Sequence, residues 1–312
     1  MYLIQSVKGF IGAANYVYKE LPYIIRRNSI NARYLDIPAR KNRVNIFQYH
    51  PERHFGFKGN PYNLGDSLGE VIIRFLLERK GIDIDTPVSK TKHLNCVGSN
   101  IFGSYQDATI WGSGAFPRYP TKKQYFCQKL SGRKLDIRAV RGPLTREVLQ
   151  KLGYNCPETY GDPAILMPMI YNPNIEKKHH SLVIPQYFYE KKFRAAHPNE
   201  RMVSMNTNDY KHVIDEIVAS EVVITSSLHG IILAEAYGVP AVFFRGLRKS
   251  IDFKYHDWYC STGRDDITLS DTYEEALETT PPPLPDLSGL VKGLLDTFPY
   301  DLWEPDNKTA LQ

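Results

Sequence analysis

The run Val222-Val223-Ile224-Thr225 leads directly into Ser226-Ser227-Leu228-His229-Gly230, then into an apolar helical stretch stopped by Gly238, then into Ala241-Val242-Phe243-Phe244. Strands that are apolar along their whole length are buried on both faces, as parallel strands covered by helices are. Two such strands joined by one short helix make a parallel βαβ unit. This one segment predicts a helix over 230–237 and strands over 222–225 and 241–244.

The same alternation recurs along the chain. Strands are expected at Val44–Phe47, Ala108–Trp111, Ile137–Val140 and Leu182–Ile184. A helix over Ser67–Lys80 places Leu68, Val71, Ile72, Phe75 and Leu76 on one face and ends before Gly81. Pro143 opens another, with Leu144, Val148, Leu149 and Leu152 together and Gly153 closing it. A third runs over Asp209–Ser220. Alternating strands and helices argue for α/β architecture with parallel sheets. The polar stretch Asn172–Lys178 divides the chain of 312 residues into halves, residues 1–172 and 179–312, expected as two α/β domains facing across a cleft. Pro281-Pro282-Pro283 and Pro285 break regular structure and mark a C-terminal strap, which begins at about residue 270.

Charge is uneven. Residues 1–60 carry ten Lys/Arg against three Asp/Glu, a net of +7, and the remainder carries −2. A basic N-terminal segment suits an anionic lipid surface or a phosphate-bearing substrate, or is a solvated face. Nothing resembles an RNA-reading aromatic motif or a zinc finger, so no nucleic acid is expected as partner. No apolar run approaches a membrane span, and no signal peptide is read at the start. The cysteines, Cys96, Cys127, Cys156 and Cys260, form no CxxC pair and are expected as reduced thiols. No His/Cys cluster has metal-ligand spacing, so no metal is expected; His179-His180 reads as surface.

Four motifs can carry chemistry. Ser226-Ser227-Leu228-His229-Gly230 sits where a buried strand meets a helix. Ligands of open α/β sheets bind there, and the first amides of the helix favour an anion. His229 exchanges a proton near neutral pH. Alone, the motif also fits a plain helix cap. Asn63-Leu64-Gly65-Asp66 precedes a helix whose Ser67 and Glu70 have capping-box spacing. Asp66 is then unneeded for capping and is either available to orient a hydroxyl or held in a turn. Arg138 and Arg141 stand close to a helix start, where guanidinium forks hold phosphate or carboxylate. Asp162-Pro163 exposes a carboxylate at a loop, and Gly112-Ser113-Gly114 allows close backbone approach to a ligand. Neither GxGxxG nor GxxxxGK[ST] occurs.

In this order the motifs resemble the polysaccharide pyruvyl transferase family: NLGD (63–66), WGSGA (111–115), VRGPLTREVLQKLG (140–153), YGDPAILMP (160–168) and SSLHGIILAEAYGVPAV (226–242), with FKYHDWYCSTGR (253–264) similar to a late family segment. The resemblance implies two Rossmann-like domains arranged as in GT-B glycosyltransferases, the first on the acceptor side and the second on the donor side. It implies transfer of the enolpyruvyl group of phosphoenolpyruvate to a sugar hydroxyl pair, giving a pyruvate ketal and phosphate. Phosphoenolpyruvate is the donor substrate, and no metal or nucleotide cofactor is expected. The acceptor is a saccharide, often lipid-linked, in capsule, exopolysaccharide or cell-wall assembly. The place is the cytoplasm, at the inner membrane face where the basic segment makes contact. His229 is expected as acid/base and Asp66 as the group that orients or deprotonates the acceptor hydroxyl. Asn63, Gly65, Gly112, Ser113, Gly114, Arg138, Arg141, Asp162, Ser226, Ser227, Leu228 and Gly230 are expected at the substrate. Some relatives carry arginine where Ser227 stands here; Arg245, Arg248 and Lys254 are the candidate replacements. A nucleotide-sugar glycosyltransferase of the same fold and a non-catalytic glycan-binding scaffold are the rival readings.

Overall fold

The computed structural model describes residues 40–47, 63–115, 122–246, 252–267 and 269–304, together with residues 14, 17–19 and 21. Most of the basic N-terminal segment and Arg248 lie outside them.

The first sheet consists of β1 (Val44–Ile46), β2 (Lys92–Asn95), β3 (Ala108–Trp111) and β4 (Leu135–Ala139), all parallel and side by side in chain order. Helices α1 (Leu64–Glu78), α2 (Lys122–Ser131) and α3 (Pro143–Lys151) belong to this half. The second sheet consists of β5 (His179–Ile184), β6 (Ser220–Thr225) and β7 (Ala241–Phe243), also parallel. With it come α4 (Glu190–Ala196), α5 (Tyr210–Val218) and α6 (Leu228–Ala236). Then follow α7 (Asp252–Ser261), α8 (Tyr273–Glu278) and α9 (Ser288–Asp296). The α/β class with parallel sheets is as the alternation of patterns implies.

Single parallel bridges widen the second sheet, Met202 beside Val183 of β5 and Ser270 beside Phe244. In space the order is Met202, β5, β6, β7, Ser270. The chain therefore leaves β5 in one direction and afterwards builds in the other. That reversal is a topological switch point, where parallel sheets open a crevice at the strand carboxyl ends. Here those ends are Ile184 and Thr225.

One hydrophobic core runs through both sheets. Leu68 and Ile72 of α1, Leu94, Trp111, Leu182, Ile184, Ile231, Trp258 and Trp303 belong to the same buried cluster. A short 3-10 helix, Pro163–Met169, joins the halves and packs against both α1 and α6. The C-terminal residues return to the first sheet: Trp111 Nε1 donates to Leu294 O at 3.0 Å, and Trp303 Nε1 donates to Ile84 O at 3.0 Å.

Two helices start earlier than their sequence signals suggest. The first begins at Leu64, because Leu64 is buried and its amide is held by Met205 O at 2.9 Å. Ser67 is therefore not a cap; its hydroxyl donates back to Leu64 O at 2.9 Å. Asp66 lies inside the first turn. Likewise α6 begins at Leu228, so His229 sits in the first turn and not ahead of it. The strand β2 and helices α2, α4 and α7 carry no periodicity that marks them, since they are short or polar or packed on several sides. His180 lies exposed on β5 beside Glu221, not in a turn.

Candidate functional site

The site is built where α1, α6 and the 3-10 helix converge. A β-carbon on Gly65 would stand 1.8 Å from His229 Nδ1, so the Nδ1 side of the imidazole packs directly against the Gly65 backbone. Only glycine leaves that room, and this contact brings NLGD and SSLHG together. On its other side His229 Nε2 stands 3.7 Å from Asp162 Oδ2. That is a charge contact, longer than a hydrogen bond. Asp162 is fully buried and His229 nearly so, and neither of these two atoms has a hydrogen-bond partner. The other oxygen of Asp162 accepts from Ala164 N at 3.1 Å, so the carboxylate caps the 3-10 helix with one oxygen and turns the second to the histidine. Several buried polar atoms of the described residues lack a partner, and these two are the pair that face each other, at 3.7 Å.

Asp66 is buried beside them. Asn63 Nδ2 donates to its Oδ2 at 2.8 Å, and its Oδ1 lies against Gly98. Burial pushes the Cys96 thiol up to about 12, and the carboxylates of Asp162 and Asp66 add to the effect, which places all three side chains in one neighbourhood. All four cysteines are free thiols.

The start of α6 is open. Ser227 occupies its N-cap position, yet its hydroxyl makes no capping bond. The Thr225 hydroxyl receives the Ser227 amide instead, at 2.9 Å. The amides of Leu228, His229 and Gly230 have no carbonyl within the helix to donate to. Ser226 is a structural hub: its Oγ accepts from Gln186 N at 3.0 Å and its carbonyl accepts from Tyr255 OH at 2.7 Å. The Leu228 side chain is buried in the core, and Gly230 lies against Thr225 Oγ1.

The expected cations fare differently. Arg141 is fully buried and fully engaged. Its Nε donates to Asp257 Oδ2 at 3.0 Å, one amino group to Ser99 Oγ at 2.7 Å, and the other to Ala115 O at 3.1 Å. Asp257 also receives the Thr145 amide and hydroxyl, at 2.8 and 2.6 Å. A β-carbon on Gly114 would stand 2.1 Å from the Arg141 guanidinium carbon, so Gly114 makes room for this pair. Arg138 faces the C-terminal segment, paired with Asp136 at 2.8 Å and Asp301 at 2.9 Å; the two carboxylates raise its pKa further. Arg245 is clasped by Asp252, at 3.0 Å, and by Asp271. All three arginines are thus neutralised by carboxylates of this chain.

Lys254, half-buried in the first turn of α7, is different. Its ammonium stands 4.9 Å from the Tyr255 ring centroid and within electrostatic reach of Asp66 and Arg141. Burial pushes it down to about 7, Arg141 acts in the same direction, and Asp66 opposes them. The GSG loop is structural in its serine: Ser113 Oγ is buried against Gly98 O at 3.0 Å and Asn100 Oδ1 at 2.7 Å. Gly112, at φ +82°, lets Pro163 pack against its α-carbon.

The structure therefore gathers Asn63, Gly65, Asp66, Asp162, Ser227, His229 and Lys254, and pairs Arg138 and Arg245 with carboxylates of their own. Asp257, Gln186 and Tyr255 were missed in the sequence. A lone acid among Tyr255, Trp258 and Tyr259 was the available signal for Asp257, because a buried carboxylate needs a partner.

The described residues form a parallel α/β protein with a histidine–carboxylate contact beside a strand switch point, the place where sheets of this kind bind ligands. The family model for polysaccharide pyruvyl transferases matches residues 63–246, more than half of the chain, and the protein belongs to that family. It is a transferase, and a saccharide is its acceptor. The chain is also similar to the uncharacterized protein L143 of Acanthamoeba polyphaga mimivirus, with 22% identity over 234 residues, covering 67% of this chain and 78% of that protein. Among the described residues, no helix is long and apolar enough to cross a membrane.

Proposed function

We propose that the protein transfers the enolpyruvyl group of phosphoenolpyruvate to a pair of saccharide hydroxyls, forming a cyclic pyruvate ketal and releasing phosphate. One observation carries the reading: His229 Nε2 and Asp162 Oδ2 stand buried, unpartnered and 3.7 Å apart beside the open start of α6. A histidine so placed gives a proton to the donor methylene, leaving an oxocarbenium-like carbon. Asp162 steadies the positive form of the ring. Asp66 orients the first acceptor hydroxyl and takes its proton as oxygen adds to that carbon. The second hydroxyl then displaces phosphate and closes the ketal, its proton restoring His229 while the proton held by Asp66 leaves with the phosphate.

The donor's negative charge needs compensation in a partly dry cleft. Among the described residues gathered here, Lys254 is the cation not clasped by a carboxylate side chain, and we assign it to the donor. The open amides of α6 and the Ser227 hydroxyl complete that anion site. The reading needs neither metal nor nucleotide. A lipid-linked acceptor places the work at the cytoplasmic face of a membrane, with the basic N-terminal segment on the lipid.

A thermal-shift titration in the presence of EDTA tests this. Phosphoenolpyruvate at ~100 times its Kd is expected to stabilise the protein by about 2.7 kcal/mol. Stabilisation by a nucleotide sugar, with none from millimolar phosphoenolpyruvate, would favour a glycosyltransferase instead.

A further inference from the structure

A second concavity adjoins, on two sides, residues that are bonded to the loops of the site. It is a depression of about 510 Å³ lined by Tyr187, Glu190, Lys191, Arg194, Ala195 and Asn206. Tyr187 directly follows Gln186, whose amide donates to Ser226 Oγ at 3.0 Å. Asn206 directly follows Met205, whose carbonyl holds the amide of Leu64 at 2.9 Å. Consecutive α-carbons are ~3.8 Å apart, so both walls of the depression start next to the loops that carry His229 and Asp66. The walls are tied together, with Asn206 Nδ2 donating to Tyr187 O at 3.4 Å.

The lining has a definite chemistry. Tyr187 and Phe188 pack edge to face with ring centroids 5.1 Å apart, and Phe188 is exposed. Glu190 accepts from the Ser204 hydroxyl at 2.5 Å and from Asn206 Nδ2 at 3.1 Å, so its carboxylate is held in place. Lys191 and Arg194 stand exposed at the rim, Arg194 in a long contact with Glu190 Oε1 at 3.5 Å that leaves most of its guanidinium in solvent. The face of an aromatic ring is negative and attracts the positive C–H bonds of a pyranose face. A carboxylate accepts hydrogen bonds from hydroxyls, and a basic rim attracts an anion.

We propose that this depression is the acceptor subsite, and that it takes a hexopyranose bearing an acidic substituent. The sugar lies on Tyr187 and Phe188, its acidic group meets Lys191 and Arg194, and its far hydroxyls extend toward Asp66 and His229. The proposal rests on the pyruvyl-transfer reading for the direction of those hydroxyls, and it moves the acceptor from the first half of the chain to the loops of the second sheet.

The test uses the full chain and two probes, glucose 1-phosphate and methyl α-glucopyranoside, titrated by saturation-transfer NMR. The parent is expected to bind the phosphate more tightly than the neutral glycoside. Phe188→Ala and Tyr187→Ala are expected to weaken both by roughly 2- to 13-fold, the range of one aromatic contact. Arg194→Ala is expected to erase only the advantage of the phosphate. Binding unchanged in both aromatic variants, equal affinity for the two probes, or no binding by the parent overturns the subsite. A phosphoenolpyruvate thermal shift on the same samples separates the two readings. Loss of sugar binding in Tyr187→Ala with no donor shift in the parent upholds the saccharide subsite and sinks pyruvyl transfer. A donor shift with unaltered sugar binding does the reverse.

Discussion

Two buried acid–base contacts lie close together in this protein and are built in opposite ways. Arg141 and Asp257 are both fully buried, and they are joined at 3.0 Å with the remaining groups taken by Ser99, Ala115 and Thr145. His229 and Asp162 are comparably buried, yet they stand 3.7 Å apart with an unpaired atom on each side. The first contact is complete and fastens α3 to α7. The second is left open beside a helix start. Motif membership does not distinguish them, because both arginine and histidine lie in motifs. Satisfaction of hydrogen bonds does. The saturated contact holds elements of the fold together, and the unsaturated one is where we propose that substrate acts.

The sharpest way to break this contrast is at the open contact. His229→Gln is expected to lower the rate of phosphate release by ~10²–10⁴-fold, as loss of a general acid–base does, with a melting temperature close to the parent's. Unaltered turnover would show that the gap is a packing feature. Next comes the closed contact. Asp257→Ala leaves Arg141 buried without its counter-ion and is expected to cost about 3–5 kcal/mol of stability, read from the urea midpoint. A change of less than ~1 kcal/mol would mean that the arginine has a second partner, and that the contrast is drawn too strongly.

The smallest effect concerns Lys254, which shares features of both contacts. Lys254→Met is expected to weaken phosphoenolpyruvate binding by roughly 10- to 150-fold, the value of a charge-assisted hydrogen bond. Its pKa falls from an ordinary 10.5 to about 7 on folding. The charged form is therefore disfavoured in the folded protein. That burden is full below about pH 7 and fades as pH rises from there toward 10.5. Lys254→Met is accordingly expected to raise the melting temperature at pH 6 and to change it little at pH 10. Donor affinity in the parent is expected to drop as pH rises through about 7, where the lysine loses its proton. Donor binding insensitive to pH and to this substitution would send the search for the cation outside the described residues.

Much of the fold was legible because its signals are local. The apolar runs of β3 and β6 and the amphipathic faces of α1, α3 and α5 depend on spacing alone, and they stand within one to three residues of where the periodicity puts them. Boundaries were less legible. Ser67 and Glu70 spell a cap, but burial of Leu64 and its bond to Met205 draw the helix back to Leu64, and tertiary contact outweighs capping preference. The helix α7 was hidden because Tyr255, Trp258 and Tyr259 are buried together with Asp257, so no polar face gives it a period.

The sequence by itself determined the α/β class, the loops at which motifs stand, and His229 and Asp66 as groups of interest. Those follow from the order of residues along a few turns of chain. The tertiary structure alone decided which charges are spent. Arg141 is neutralised by a carboxylate 116 positions away, and Arg138 adds to its neighbour Asp136 a second carboxylate 163 positions away; no local pattern reports such distant partners. The same long-range packing set Asp162 against His229, laid the imidazole on Gly65 and left Lys254 beside Asp66. Charge is read along the chain, but the cost of burying it is settled by neighbours in space.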